Sequence, residues 1–217
     1  MRGYKAMAIW AKEVALRAAI IVACIAVEIL TRPQIFLTPA VMFDQWSPWL
    51  QFWRPHEPTI IVTAVEYLLS IWLGFWGVAG LLIGTFLVSM LKGTWGVARL
   101  TYATQASALL GYCAVVWCTR RYRIDPTIHT IAAMRSMTLA LLFSIALRKA
   151  VYLIVLPFVY EPAFMVLAPY FHESSFWLSQ LLDTAFLIGV ALVVVLPALF
   201  LLTNPLRRIG IPIKGWV

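Results

Sequence analysis

Four ionisable side chains lie in stretches otherwise apolar enough for lipid: Glu66, Arg148, Lys149 and Asp183. A charge at membrane depth costs about 2.5–3.5 kcal/mol on insertion scales, so it implies a partner or a polar path. Glu66 follows Pro58 by eight residues and Asp183 follows Phe176 by seven, while Arg148 and Lys149 precede Pro157 by nine and eight. At about 1.5 Å per residue all four fall roughly 10–14 Å below the outer surface. Two acids and two bases at one depth can neutralise each other only if they face the interior of a bundle. The expectation is one polar cluster in the outer half, joining Glu66 and Asp183 to Arg148 or Lys149. Two roles fit: an ion-pair staple between helices, or a pocket for a polar or anionic ligand entering from outside. Thr63, Tyr67, Tyr152 and Gln180 lie within reach along the same helices and can add hydrogen bonds. The residues alone leave both roles open.

Other chemistry is thin. His56, His129 and His172 sit in loops or at helix ends, and no two share a helix, which speaks against a bis-histidine haem site. The sequence has no HExxH, GxSxG, Walker-type loop or acidic metal cluster. Cys24, Cys113 and Cys118 all fall in apolar segments, an odd count with no metal-type spacing. The chain therefore reads as non-enzymatic, with no cofactor and no metal.

The elements that must carry these charges are helices in a membrane. Of 217 residues, 63% are hydrophobic and 12% charged, and the mean hydropathy is +0.89. Soluble domains hold about 25% charged residues. The reading is an all-α, polytopic membrane protein forming one domain over residues 1–217. Its six transmembrane helices are expected at about 7–30, 58–73, 78–91, 100–118, 131–156 and 176–202. The N-terminus has no short apolar run with a small-residue cleavage site, so the first helix reads as an uncleaved anchor.

The apolar run 60–91 is too long for one crossing, since a ~30 Å hydrocarbon layer takes about 20 helical residues. It is expected to fold back at Gly74-Phe75-Trp76-Gly77, where glycine permits the reversal and Trp72, Phe75 and Trp76 suit the water–lipid boundary. Gly80 and Gly84, four apart, have the spacing that lets two membrane helices approach closely. The surface loop 31–57 is rich in proline and tryptophan. Trp46, Trp49 and Trp53 recur at three and four, which predicts a short amphipathic helix on the outer surface that caps the bundle or meets a partner.

Cations mark the inner side. Arg2, Lys5, Lys12 and Arg17 precede or open the first helix, Arg120, Arg121, Arg123 and Arg135 surround the fourth connection, and Arg207, Arg208 and Lys214 lie in the tail 204–217. Only Arg32, Arg54, Lys92 and Arg99 fall outside, so both termini are expected in the cytoplasm. The net charge of +8 is thus a topology signal and not a nucleic-acid one. The basic tail is expected to lie along the anionic inner surface or to contact a partner.

The central half of the chain also has a recognisable pattern. Pro58 opens an apolar helix that leads into LGFWGVAGLLIGTFLVSMLKGTWG, with Gly84-Thr85-Phe86-Leu87 inside it. A helix with Ala108-Leu109-Leu110-Gly111 before Arg120-Arg121 follows. Over about 58–152 this resembles the bacterial membrane-associated sensor domain found ahead of histidine kinases and cyclic-dinucleotide cyclases. The family has about eight helices, an attached output domain and a Trp-Pro-Pro-x-Gly start to its second helix. This chain has about six helices and no output domain, and carries Arg54-Pro-His-Glu-Pro58 there instead. The resemblance implies a multi-pass protein of the bacterial inner membrane that senses a ligand, or binds a partner, and acts through another protein. Two other functions fit the residues. One is a permanent accessory subunit of a larger membrane complex, held by the Trp-rich loop and basic tail. The other is the solute-binding component of a transporter of the energy-coupling-factor kind. The expected partners are the lipid bilayer, another membrane protein or complex, and a small ligand from the outer side.

Overall fold

The computed structural model describes residues 2–31, 60–91, 98–159, 174–210 and 213, and all the regular structure among them is helical. Helix α1 spans Arg2–Thr31, α2 Ile60–Leu91, α3 Ala98–Arg121 and α4 Ile131–Val159. Helix α5 spans Ser174–Val190 and passes through a π-helical turn, Ala191–Val195, into α6, Leu196–Arg208. Among the described residues, three stretches are helical, long and apolar enough to cross a membrane: Val62–Val88, Ile131–Ile154 and Gln180–Arg208. Trp46, Trp49, Trp53 and Lys214 lie outside the described residues, as do most of the tail and all of the loop expected at 31–57 except Thr31, which ends α1.

Gly74 decides the path of α2. It adopts φ 64 and ψ −146, a conformation open to glycine and strained for a residue with a Cβ. Two helical limbs meet there at a kink. An ideal Cβ on Gly77 would lie 2.6 Å from the Leu69 carbonyl oxygen and 3.0 Å from Leu73 Cβ. In a straight helix, residues eight apart are about 12 Å apart along the axis. A sharp break therefore stands at the first residue of the expected turn 74–77, and Gly74 is the residue there with non-helical φ and ψ. The two limbs, 60–73 and 75–91, share the close approach that Gly77 allows.

Contacts along the helices set their directions. Arg17 stands beside Trp76, and Ile21 and Cys24 beside Gly80, so α1 runs parallel to the second limb of α2. Tyr112 meets Glu66 and Arg120 meets Phe75, so α3 runs parallel to the first limb. Helix α4 returns antiparallel against α3, with Ser144 and Arg148 on Gly111. The α5–α6 rod runs antiparallel to α4, from Lys149–Asp183 at one level to Pro126–Thr203 at the other. The Gly74 turn, the end of α3 and the end of α6 thus gather at one end of the bundle.

A hydrogen-bond chain closes that end. Trp72 Nε1 donates to Thr203 Oγ1 at 3.0 Å, and the Thr203 hydroxyl donates to the Pro126 carbonyl at 3.3 Å. A buried indole N–H requires such an acceptor. Trp72→Phe keeps the ring's burial and removes the donor, and is expected to lower stability by about 1 kcal/mol in denaturant unfolding. A loss below about 0.3 kcal/mol would show that the bond is not made in solution. The connection 122–130 is tight, with Arg123 and Ile128 at φ 50 and 45. Ile128, a β-branched residue in that region, is held by burial and by its amide bond to the Asp125 carbonyl at 3.1 Å. Burial of the Asp125 carboxyl acts to raise its pKa. The Thr127 amide, 3.0 Å away, and Arg207 outweigh it and hold the group below the usual carboxylate range.

The boundaries differ from expectation at the prolines. Helix α4 continues through Pro157 to Val159, and α6 through Pro205 to Arg208, so neither proline ends its helix. Prolines persist in apolar bundles because neighbouring helices and local adjustments satisfy the freed carbonyls. Pro197 shows the local adjustment. Its ring would clash with the carbonyl four residues back, and the wider turn Ala191–Val195 sits directly before it. Large apolar side chains line the outside of the bundle, including Leu82, Ile83, Phe86, Leu139, Phe143 and Val193. Surfaces of this kind are solvated by lipid and not by water.

Candidate functional site

The four charged residues singled out in the sequence do come together, but as two pairs and with an intermediary from a helix the reading had not used. Glu66, on the first limb of α2, is 7% exposed and accepts a hydrogen bond from the Tyr112 hydroxyl of α3. The same Tyr112 oxygen receives Arg148 Nη1 of α4 at 3.5 Å. Arg148 and Glu66 are therefore joined through a phenol, Arg148 donating to Tyr112 and Tyr112 donating to Glu66. The Arg148 guanidinium lies 6.0 Å from the centre of the Tyr112 ring, and the Tyr67 ring meets Tyr112 edge-on at 5.0 Å. Ser144 donates to the Gly111 carbonyl at 2.7 Å, and its oxygen lies 3.3 Å from the Tyr67 hydroxyl.

The second pair faces the other way. Lys149 of α4 forms an ion pair with Asp183 of α5 and donates to Gln180 Oε1 at 3.3 Å. Its ammonium lies 5.7 Å from the Tyr152 ring centre. The side chains of Lys149 and Asp183 are 13% and 18% exposed, so this pair stands nearer the surface than Glu66. Arg148 and Lys149 are neighbours in sequence and about 100° apart around the helix, which sends one toward α2 and α3 and the other toward α5. The two pairs leave α4 from adjacent residues, so a shift of α4 moves both.

Of the expected hydrogen-bonding residues, Tyr67, Tyr152 and Gln180 are in place. Thr63 is fully buried one turn before Glu66, and its hydroxyl has no partner among the described residues. Tyr112 is not among the expected residues, and Gly111 is named only within the resemblance. An ideal Cβ on Gly111 would lie 3.1 Å from Arg148 Cβ and 3.2 Å from the Ser144 carbonyl oxygen, so glycine there lets α3 and α4 meet at the cluster. Helix α3 shows no charge between Arg99 and Arg120, and a tyrosine in an apolar helix carries no signal of its own. The four packing glycines are placed as follows: Gly74 at the reversal, Gly77 against Leu69, Gly80 against α1, and Gly84 buried.

The basic residues collect at the opposite end, away from the cluster. The Arg120 guanidinium lies over the Phe75 ring at 4.7 Å and Arg17 over Trp76 at 5.0 Å. Arg121 ends α3 and Arg123 follows in the connection, both exposed; Arg207 approaches Asp125 at 3.6 Å, and Arg208 next to it in the chain is exposed. Among the described residues, no group of three or more His, Cys, Asp or Glu side chains could hold a metal ion.

No protein-family model, no curated protein and no solved structure matches this chain.

Proposed function

We propose that the chain is a non-catalytic integral membrane module that acts through a partner protein, with its intramembrane charge cluster as the sensing element. It crosses the bilayer six times, the two limbs of α2 counting as two crossings, and keeps both termini in the cytoplasm of a bacterial cell. The observation that carries this reading is the division of Arg148 and Lys149 between the buried Glu66 and Tyr112 on one side and the more accessible Asp183 on the other. An anionic or polar ligand arriving from outside reaches Lys149 and Asp183 first. Drawing Lys149 away from Asp183 changes the field at Arg148 and the seating of α4 on α3 at Gly111. Because α4 also leads to the basic inner end, that shift is available to a cytoplasmic or membrane partner. The resemblance over 58–152 to sensor domains that precede histidine kinases and cyclic-dinucleotide cyclases points the same way.

A second reading has its own support. The cluster is answered within the bundle, as in a brace, which suits a permanent accessory subunit. One experiment separates the two: a mild-detergent pull-down from native membranes through a C-terminal tag, with mass spectrometry of proteins and small molecules. The sensing reading expects a small molecule that is lost in Lys149→Gln or Asp183→Asn, together with a signalling or transport partner. A partner at fixed stoichiometry, unchanged in both variants and with no small molecule, would establish the subunit and end the sensing reading.

A further inference from the structure

We propose that the end of the bundle at the Gly74 turn carries a binding site for the phosphate headgroup of an anionic phospholipid, built on Arg17 and Arg120. The proposal rests on the chain being a membrane protein with this end at the lipid boundary. It does not depend on the sensing role.

The turn places Phe75 and Trp76 side by side, 39% and 40% exposed. Arg120 from α3 covers the first ring at 4.7 Å and Arg17 from α1 covers the second at 5.0 Å. Two guanidiniums from separate helices are thereby held on adjacent residues of a third element. Stacking uses the faces of a guanidinium, whereas its N–H donors lie in the plane, the geometry suited to a phosphate. Glu13, one turn earlier on α1, takes one of the Arg17 donors. Arg121 and Arg123 follow Arg120 in the chain and are exposed, as is Arg208 at the end of α6, and Asp125 faces Arg207.

The same place is apolar alongside. Leu82 and Ile83, on the second limb just beyond the turn, are 43% and 41% exposed. Trp117 and Tyr122 form an exposed edge-to-face pair near the end of α3, the residue types that settle at the headgroup level. A ligand with one anionic end and a long apolar body satisfies both halves of this surface, and a soluble anion satisfies only one. Basic sites between membrane helices on the cytoplasmic side select anionic lipids for this reason.

The test uses the full chain in detergent, titrated with phosphatidylglycerol or phosphatidylcholine and read by native mass spectrometry. The parent should retain phosphatidylglycerol over phosphatidylcholine. Arg17→Gln with Arg120→Gln should reduce that retention on the order of tenfold, and leave phosphatidylcholine unchanged. Arg121→Gln with Arg208→Gln removes the same charge and should change it far less. Equal losses in the two double variants would mean a diffuse field without a built site, and no preference in the parent would equally overturn the proposal. Should the first double variant fail to fold, arginine-specific phenylglyoxal labelling of the parent in lipid nanodiscs serves instead. Arg17 and Arg120 should be protected by phosphatidylglycerol and not by phosphatidylcholine, and equal labelling in both would refute the site. Failure of the parent to insert into phosphatidylcholine nanodiscs at all would count against the membrane reading itself.

Discussion

Arg148→Met is expected to destabilise the bundle by about 3–5 kcal/mol, the range seen when one partner of a buried charge pair is removed. Methionine retains the stem that packs on Gly111, so the loss is electrostatic. It removes the guanidinium that faces the Glu66 carboxylate across Tyr112. The informative comparison is Glu66→Leu with Arg148→Met, which removes both charges together. Buried pairs replaced by apolar residues of similar size are often neutral in stability. The double variant should therefore recover most of the loss, within about 1 kcal/mol of the parent. Urea unfolding in mild detergent, followed by helical circular dichroism, measures both. If the single variant unfolds like the parent, Arg148 is not balancing Glu66. If the double variant is as weak as the single one, the loss came from packing and the pair is not a unit.

Gly80→Val should separate α1 from the second limb of α2. A Cβ at Gly80 would stand 2.6 Å from Cys24 Cβ, 2.9 Å from the Ile21 carbonyl oxygen and 3.1 Å from Ile21 Cα. Two of those atoms are backbone, so no side chain can turn aside to make room. Forced overpacking of a tight contact costs about 1–3 kcal/mol, and a β-branched residue lies at the upper end because it cannot change rotamer freely in a helix. Cys24 supplies the readout, since it is fully buried in the parent. Maleimide labelling of Cys24 in detergent should be slow in the parent and fast in Gly80→Val. Gly189 is the control, because a Cβ there meets nothing within 4 Å. Gly189→Ala should leave Cys24 protected and raise stability by up to about 1 kcal/mol through helix propensity. Protection of Cys24 in Gly80→Val would show that α1 does not seat on this glycine.

Both predictions draw on features with different visibility in the sequence. Gly80 could be singled out because small residues at a spacing of four mark one helix face, and it is indeed the face that receives α1. Its partner could not be named, since nothing in Ile21 or Cys24 distinguishes them from other apolar residues of α1. The break at Gly74 was legible for a simple reason. An apolar run of that length exceeds one crossing, and a glycine-rich segment at its middle is where a chain turns at least cost. The Trp72–Thr203–Pro126 bonds were not legible, because they join three segments far apart in the chain.

The sequence by itself determined the helical membrane class, the break at Gly74 and the shared level of Glu66, Arg148, Lys149 and Asp183. These follow from costs that act residue by residue: burying a charge in hydrocarbon, exposing backbone to lipid, and bending a chain without glycine. Only the tertiary structure decided which charge meets which. It gave Arg148 to Tyr112 and Glu66, and Lys149 to Asp183 and Gln180. It also brought Gly111 against α4 and set Arg17 beside Arg120 at the Gly74 turn. Helical periodicity assigns a side chain to a face, but the neighbour of that face is chosen by the packing of all the helices at once.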